Sequence, residues 1–316
     1  MDIEEWKKKN SGVKSYAHFD KRVSIDQVWD YITSTQKVSK HSFYPFIHYQ
    51  KRFIKYSKQS GVKPKERELC YSAHIDRCIY QYYGFILNQL YNERVEKDGF
   101  SDSTAAYRDN LKKSSIHFAK RAYDFIRTQE ACYVIVGDFT HFFDSLDHKY
   151  LKKQLCGLLN CKELPTDYYA VFKNITKYAK WDLNDLLKLN GLADTPEGIK
   201  TLNNQAQVLT LSDFKSHKSQ FVVSNKESFG IPQGSAISAV LSNVYMLEFD
   251  KQIRQYVNTY GGMYMRYSDD FIIALPKNEA SDFSVQLSWI QGMIASIKNL
   301  KLQPKKHNYF FTMIER

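Results

Sequence analysis

Apolar positions recur at helical spacing through DRCIYQYYGFILNQLY (76–91). There Ile79, Tyr82, Tyr83, Ile86, Leu87 and Leu90 line one stripe, which predicts a helix with that stripe in a core. The first 130 residues as a whole read as mostly helical and basic. Three later segments break the pattern. YVIVGDF (133–139) is a short β-branched run ending in a carboxylate and predicts a buried strand. GIPQGS (230–235) is a loop by its Gly and Pro, and it leads into a helix with Ile237, Val240, Leu241, Val244 and Leu247 on one stripe. MYMRYSDDFIIAL (263–275) sets two acids between apolar, strand-like flanks and predicts a β-hairpin with Asp269 and Asp270 at its tip. Between the first strand and GIPQGS, LKKQLCGLL from Leu151 reads as helix and SHKSQFVVSNKESFG (216–230) as a strand pair; the rest of that stretch carries no readable function.

Composition narrows the class. At 316 residues and 43% apolar the chain can build one large or two modest cored domains. Thirteen Gly and seven Pro, with no repeat or low-complexity tract, mark no linker. The net charge of +11 favours polyanionic partners. A membrane is excluded as partner by the polar start MDIEEWKKKN and the lack of any run near the roughly 18 apolar residues a span needs, so the expected location is cytoplasmic. Five cysteines, an odd number without a CxxC spacing, argue against a zinc site or disulfide framework and for reduced thiols. Aromatics at 15% supply either core filling or surfaces on which bases stack.

KRFIKYSKQSGVKPKER (51–67) carries seven Lys or Arg and one acid around a Gly and Pro break. It is either a hairpin or loop that touches phosphates, or a solvated charged loop. Lys112, Lys113, Lys120, Arg121 and Arg127 fall in a helical stretch whose basic face suits a nucleic-acid backbone.

Asp138 at a strand end and Asp269 and Asp270 at a hairpin tip have the chemistry of a phosphoryl-transfer site. Such a site needs in-line positioning and positive charge on developing oxyanions. Carboxylates on rigid neighbouring strands, with substrate phosphates, suffice to hold Mg²⁺. An acid pair at a hairpin tip is otherwise an exposed turn.

In order along the chain, GDFTHFFDSLDH, GIPQGSAISAVLSNVYM and YSDD resemble the palm motifs of reverse transcriptases of the retron and group II intron branch. KERELCYSAHIDRCIYQYY and AAYRDNLKKSS resemble that branch's fingers motifs, and LKLQPKKHN resembles the palm motif that follows. YAHFDKRVSI, HSFYPFIHYQ and YSAHIDRCIYQYY look most like the bacterial abortive-infection and defence-associated members. The resemblance implies an α+β right-hand fold: a helical extension over 1–40, helical fingers over 41–130, and a palm with an antiparallel sheet over 131–316 carrying an insertion at about 160–228. The thumb would be absent or incomplete: either the chain is a fragment, or a partner chain, a second copy or RNA completes it.

It implies an RNA-directed DNA polymerase serving antiphage defence, with an RNA template or noncoding RNA, a DNA product and deoxynucleotides as partners. Asp138, Asp269 and Asp270, with the Phe139 backbone, would hold two Mg²⁺ ions, or Mn²⁺ in their place. Phe143 would be the sugar gate, its ring colliding with a ribose 2′ hydroxyl; the alternative is a core residue beside Phe142. Gln233 and Gly234 would approach the incoming nucleotide. Arg67 would bind triphosphate, with Lys63 and Lys65 as alternatives, and Lys306 would contact phosphate, with Lys305 competing. Lys63, Lys65, Lys112, Lys113 and Tyr267 would face nucleic acid. Two rivals stand beside this reading: a template-independent or protein-primed terminal DNA polymerase, and a non-catalytic RNA-binding palm module.

Overall fold

Asp2 opens the first helix by accepting the Glu5 amide at 2.8 Å, with acids in the first turn and lysines in the last, as the helix dipole favours. The computed structural model describes residues 2–57, 61–277, 282–303 and 308–313. In chain order the elements are α1 (Ile3–Asn10), α2 (Trp29–Ile32), α3 (Thr35–Ser39), β1 (Phe46–Ser57), β2 (Gly61–Tyr71), α4 (His74–Lys97), α5 (Ser115–Thr128), β3 (Ala131–Asp138), α6 (His148–Leu158), α7 (Thr166–Thr176) and β4 (Ala179–Asp182). They continue with α8 (Leu183–Leu189), α9 (Pro196–Asn203), α10 (Leu211–Phe221), β5 (Val223–Ser224), α11 (Ser238–Tyr245), α12 (Leu247–Thr259), β6 (Met263–Tyr267), β7 (Asp270–Pro276), α13 (Phe283–Ser296) and β8 (Asn308–Met313). The chain forms two compact units: Met1–Phe85 with Pro165–Ser238, and Ile86–Leu164 with Ala239–Arg316. Among the described residues no helix is long and apolar enough to cross a membrane.

The first unit carries a four-stranded mixed sheet in the order β2-β1-β4-β5. β1 and β2 pair antiparallel from Ile47↔Tyr71 to Ser57↔Gly61, and β4 joins β1 in parallel. Ile47, Trp181, Leu186, Leu202 and Val208 pack around Phe19, so the 165–238 stretch shares a core with the N-terminal residues. Asp20 caps α4 from a distance, accepting the His74 and Ile75 amides at 2.9 Å each.

Two local expectations are corrected here. Residues 51–57 and 61–67 lie in two long strands, so the leading third of the chain is not mostly helical; most of the hairpin's described side chains are exposed, and charges on both faces erase the alternation that marks a half-buried strand. SHKSQFVVSNKESFG is not a strand pair. Its first half completes α10, capped by Thr210, whose Oγ accepts the Asp213 amide at 3.2 Å, and only Val223–Ser224 is extended.

The second unit is built on an antiparallel sheet in the order β6-β7-β3-β8. Cys132, Val134, Met263, Met265 and Ala274 cluster with Phe118 and Ala122 of α5. Val240, Leu241, Val244 and Leu247 of the expected stripe are buried but fall in two helices separated at Met246, and Ile237, also buried, precedes the first helix. Lys120, Arg121 and Arg127 are helical as expected. Lys112 and Lys113 are not: they precede α5, and Lys112 sits at a left-handed φ of 48° that a helix cannot accommodate.

Candidate active site

The β-branched run Val134–Ile135–Val136 makes β3 a central strand, hydrogen-bonded on both edges, and delivers Asp138 at its end. β7 runs antiparallel beside it with Asp138 directly opposite Asp270. Directly opposed residues of an antiparallel pair have Cα atoms about 4.5–5.5 Å apart. Asp269 is tied to the same point, because the Phe139 amide donates to its carbonyl at 3.0 Å. The sheet thus brings together three acids that the chain separates widely: Asp138 is buried, Asp269 half-buried and Asp270 exposed. The other side of β3 is secured by the Gln303 amide, which donates to the Asp138 carbonyl at 2.8 Å.

Gly137 is the residue that lets this strand lie so close to the hairpin. A Cβ there would stand 2.3 Å from the Phe271 ring, its partner in the register. Phe271 in turn lies 5.5 Å from the Phe139 ring, which stacks on Phe142 at 6.0 Å. Phe142 is core. Phe143, the candidate sugar gate, begins a 3-10 turn and is only half-buried, with its edge against Phe142 at 5.6 Å.

The hairpin tip is a two-residue turn, Ser268–Asp269, between paired Tyr267 and Asp270. Ser268 takes φ +60°, a conformation that favours glycine at the first central position of such a turn. Its surroundings hold it there. The Ser268 hydroxyl meets the Tyr107 hydroxyl at 3.0 Å, and its carbonyl accepts from Arg266 Nη1 at 2.8 Å. Arg266 is wholly buried and paired with Asp250 through Nε (2.8 Å) and Nη2 (2.6 Å), while Nη2 also reaches Asn243 at 3.2 Å. Tyr264 donates to Asp250 at 2.6 Å. Burial alone would lower the Arg266 guanidinium, but the Asp250 carboxylate overrides it and raises the group, while burial and Asp250 together raise the Tyr264 phenol. The edge of β6 is closed by residues 103–105, with the Arg266 amide donating to the Ser103 carbonyl at 2.7 Å and the Ala105 amide to the Arg266 carbonyl at 2.9 Å.

Tyr107, Asn243, Asp250 and Arg266 escaped the sequence reading. The signal available was Arg266 itself, a charge inside an apolar strand, which demands a buried partner. Arg108 is buried and binds Asn92 at 2.7 Å and Thr104 at 3.1 Å.

Gln233 and Gly234 belong to the first unit, where the Cys70 amide donates to the Gln233 carbonyl at 2.7 Å. Gly234 has φ +106° and a Cβ there would meet the Cys70 carbonyl at 2.4 Å, so the close approach this glycine permits is to the backbone of β2. Arg67 and Lys65 lie two apart on β2, sharing a face with Phe53 and Lys51 of β1, and the Arg67 guanidinium sits 5.1 Å from the Phe53 ring. Lys63 stands opposite Lys55 in the register; its side chain lies outside the described residues, as do Lys305 and Lys306 entirely. Lys112 and Lys113 are exposed, and Tyr267 is 45% exposed at the hairpin tip.

Among the described residues no three His, Cys, Asp or Glu side chains are gathered around one point as a ready-made metal site. The acids form an open row of oxygen donors. That set fits a hard divalent cation which keeps waters and takes substrate phosphate oxygens as further ligands. The Phe139 amide donates to Asp269, and its carbonyl is the backbone oxygen that could join the acids as a metal ligand.

Residues 188–313 match the family model described as reverse transcriptase (RNA-dependent DNA polymerase). This segment is less than half of the chain; it includes Gln233, Gly234, Asp269 and Asp270 but not Asp138 or Phe143. No curated protein matches. Among solved structures, an apo telomerase from Candida tropicalis truncated from its C-terminal domain aligns at 12% identity and TM-score 0.52, over 93% of this chain and 57% of that one. The C. tropicalis telomerase in complex with a fragment of telomeric RNA aligns at 15% identity and TM-score 0.46, over 95% of this chain and 47% of that one. The chain thus spans little more than half the length of the truncated telomerase. The truncated telomerase alignment bears on the fold alone, and the family match identifies residues 188–313 as similar to the reverse transcriptase domain, the domain of a nucleotidyltransferase.

Proposed function

We propose that this chain is an RNA-directed DNA polymerase whose active site is the acid row Asp138, Asp269 and Asp270. The observation that carries this is the register: strand end and hairpin tip meet with Asp138 opposite Asp270, in a chain whose 188–313 segment matches the reverse transcriptase family. The three carboxylates would hold two divalent cations, Mg²⁺ by preference for oxygen donors, which when bound supply activation of the primer 3′ hydroxyl and charge neutralisation at the pyrophosphate. The chain's own residues do the positioning. Arg266 and Tyr107 fix the turn that presents Asp269, and Gln303 and Phe139 fix the strand end. Phe143, resting on the Phe142 core with its ring half-exposed, would exclude a ribose 2′ hydroxyl and select deoxynucleotides.

Arg67, Lys65 and Lys51 on the outer hairpin would contact phosphates of the triphosphate or of the nucleic acid. RNA as template and DNA as product are the partners this reading implies, and the segments resembling defence-associated members support a cytoplasmic role in antiphage defence. The test is extension of a DNA primer on an RNA template with deoxynucleotides and Mg²⁺. Wild-type protein extends the primer, and Asp269→Ala with Asp270→Ala abolishes extension while RNA binding persists. Equal extension by the double variant overturns the proposal, and incorporation that ignores the template sequence overturns the RNA-directed part.

A further inference from the structure

The end of α6 builds a pair of thiols. Asn160 follows the helix at φ +51°, the left-handed position that terminates many helices. The Cys161 amide donates to the Cys156 carbonyl at 3.0 Å and the Asn160 amide to the Gly157 carbonyl at 3.4 Å. These 6→1 and 5→2 bonds define the Schellman cap, which presses the third-from-last helical residue against the residue after the left-handed one. An apolar pair usually fills those two positions. Here they are Cys156 and Cys161.

Both residues are partly exposed, whereas Cys70, Cys78 and Cys132 are buried. A spacing of five residues shows no redox or zinc motif in sequence; the cap is what turns it into a pair. Lys152, one turn before Cys156, favours a thiolate here, and Glu163 opposes it.

We propose that Cys156 and Cys161 form a dithiol modification site, closed to an internal disulfide by exchange with an oxidised low-molecular-weight disulfide such as oxidised glutathione. Cys161, beyond the cap, attacks and Cys156, held within α6, resolves; burial and the neighbouring thiol push the Cys156 thiol up, in keeping with that order. The Cys161 thiolate attacks one sulfur of the small disulfide, whose S–S bond breaks and releases one small thiolate. Cys156 then loses its proton and attacks the Cys161 sulfur of the mixed disulfide, expelling the second small thiolate. Two protein thiols are oxidised, one small disulfide is reduced to two thiols, and the two protons end on those thiols. The reverse exchange with a dithiol reductant opens the site.

The test is treatment of the folded full chain with oxidised glutathione, then alkylation and peptide mass mapping. The expected result is a linked 156–161 peptide with two fewer alkylatable thiols, while Cys70, Cys78 and Cys132 stay protected until unfolding. Cys156→Ser, lacking the resolving thiol, accumulates a stable glutathione adduct at Cys161. Wild-type protein that accumulates separate adducts, links another pair or remains unmodified while the Cys156→Ser adduct forms overturns the proposal. So does a Cys156→Ser protein, circular dichroism unchanged, in which Cys161 does not react.

Discussion

Arg266 carries a prediction that separates folding from catalysis. Its guanidinium makes four hydrogen bonds, three within the buried Asp250 and Asn243 cluster and one to the Ser268 carbonyl of the turn bearing Asp269. Arg266→Met leaves Asp250 buried without its cation though still accepting from the Tyr264 hydroxyl, and breaking a buried pair in this way costs about 3–5 kcal/mol. The loss takes a large part of a typical stability of about 5–15 kcal/mol and lowers the melting temperature by about 6–20 °C. Replacing the whole cluster with apolar residues, Arg266→Met with Asp250→Leu and Tyr264→Phe, removes the orphaned charge and restores most of that stability. It does not restore the bond to Ser268, so a residue held at positive φ loses its carbonyl anchor and Asp269 its fixed direction.

The assay pairs thermal unfolding with primer extension below both melting points. The single variant is expected to be unstable and slow, and the triple variant stable and still slow, by about tenfold or more for a loss of positioning worth about 1.4 kcal/mol. A triple variant with wild-type extension would refute the positioning argument, and a single variant with an unchanged melting temperature would refute the buried pair.

Other expectations are briefer. Phe143→Val admits ribonucleotides with little change in melting temperature; single-nucleotide incorporation that keeps the same deoxy-to-ribo ratio removes the gate assignment. Gly234→Ala, facing both a left-handed φ and the Cys70 carbonyl, destabilises by about 2 kcal/mol or more by denaturant unfolding, and a neutral outcome contradicts the close packing of that loop on β2. His18, wholly buried and accepting the Phe19 amide at Nδ1 (2.9 Å), is held neutral with its pKa lowered by burial and then by His74 to about 3. Its folded pKa lies below the unfolded 6.5, so the stability it contributes is full above pH 6.5 and is lost as pH falls toward 3; His18→Gln should flatten that part of the stability–pH curve. RNA affinity should fall steeply with salt, and Arg67→Gln should lower the log–log slope by about one, where an unchanged slope argues against a phosphate contact.

What was legible in the sequence follows the reach of each signal. β3 and the β6–β7 hairpin were readable because β-branched runs and an acid-tipped turn are local features. The meeting of Asp138 with Asp270 was not, since register is set by pairing between segments far apart in the chain; only the resemblance supplied it. The β1–β2 hairpin lost its alternation to surface charge, and Phe221–Val222–Val223 suggested a strand where Thr210 and Asp213 had already signalled a helix start. Asp250, on α12, gives no local hint that it neutralises Arg266. The cap that joins Cys156 and Cys161 hinges on a left-handed Asn160, a conformation that asparagine tolerates but does not announce.

Mn²⁺ binding tests most directly whether the three acids jointly hold divalent cations against a triphosphate. Electron paramagnetic resonance titration, with a non-reactive deoxynucleotide analogue present, should detect two Mn²⁺ sites on wild-type protein and a loss of high-affinity binding in Asp138→Asn and in Asp269→Asn. Mn²⁺ binding by Asp138→Asn equal in number and affinity to wild type would contradict it.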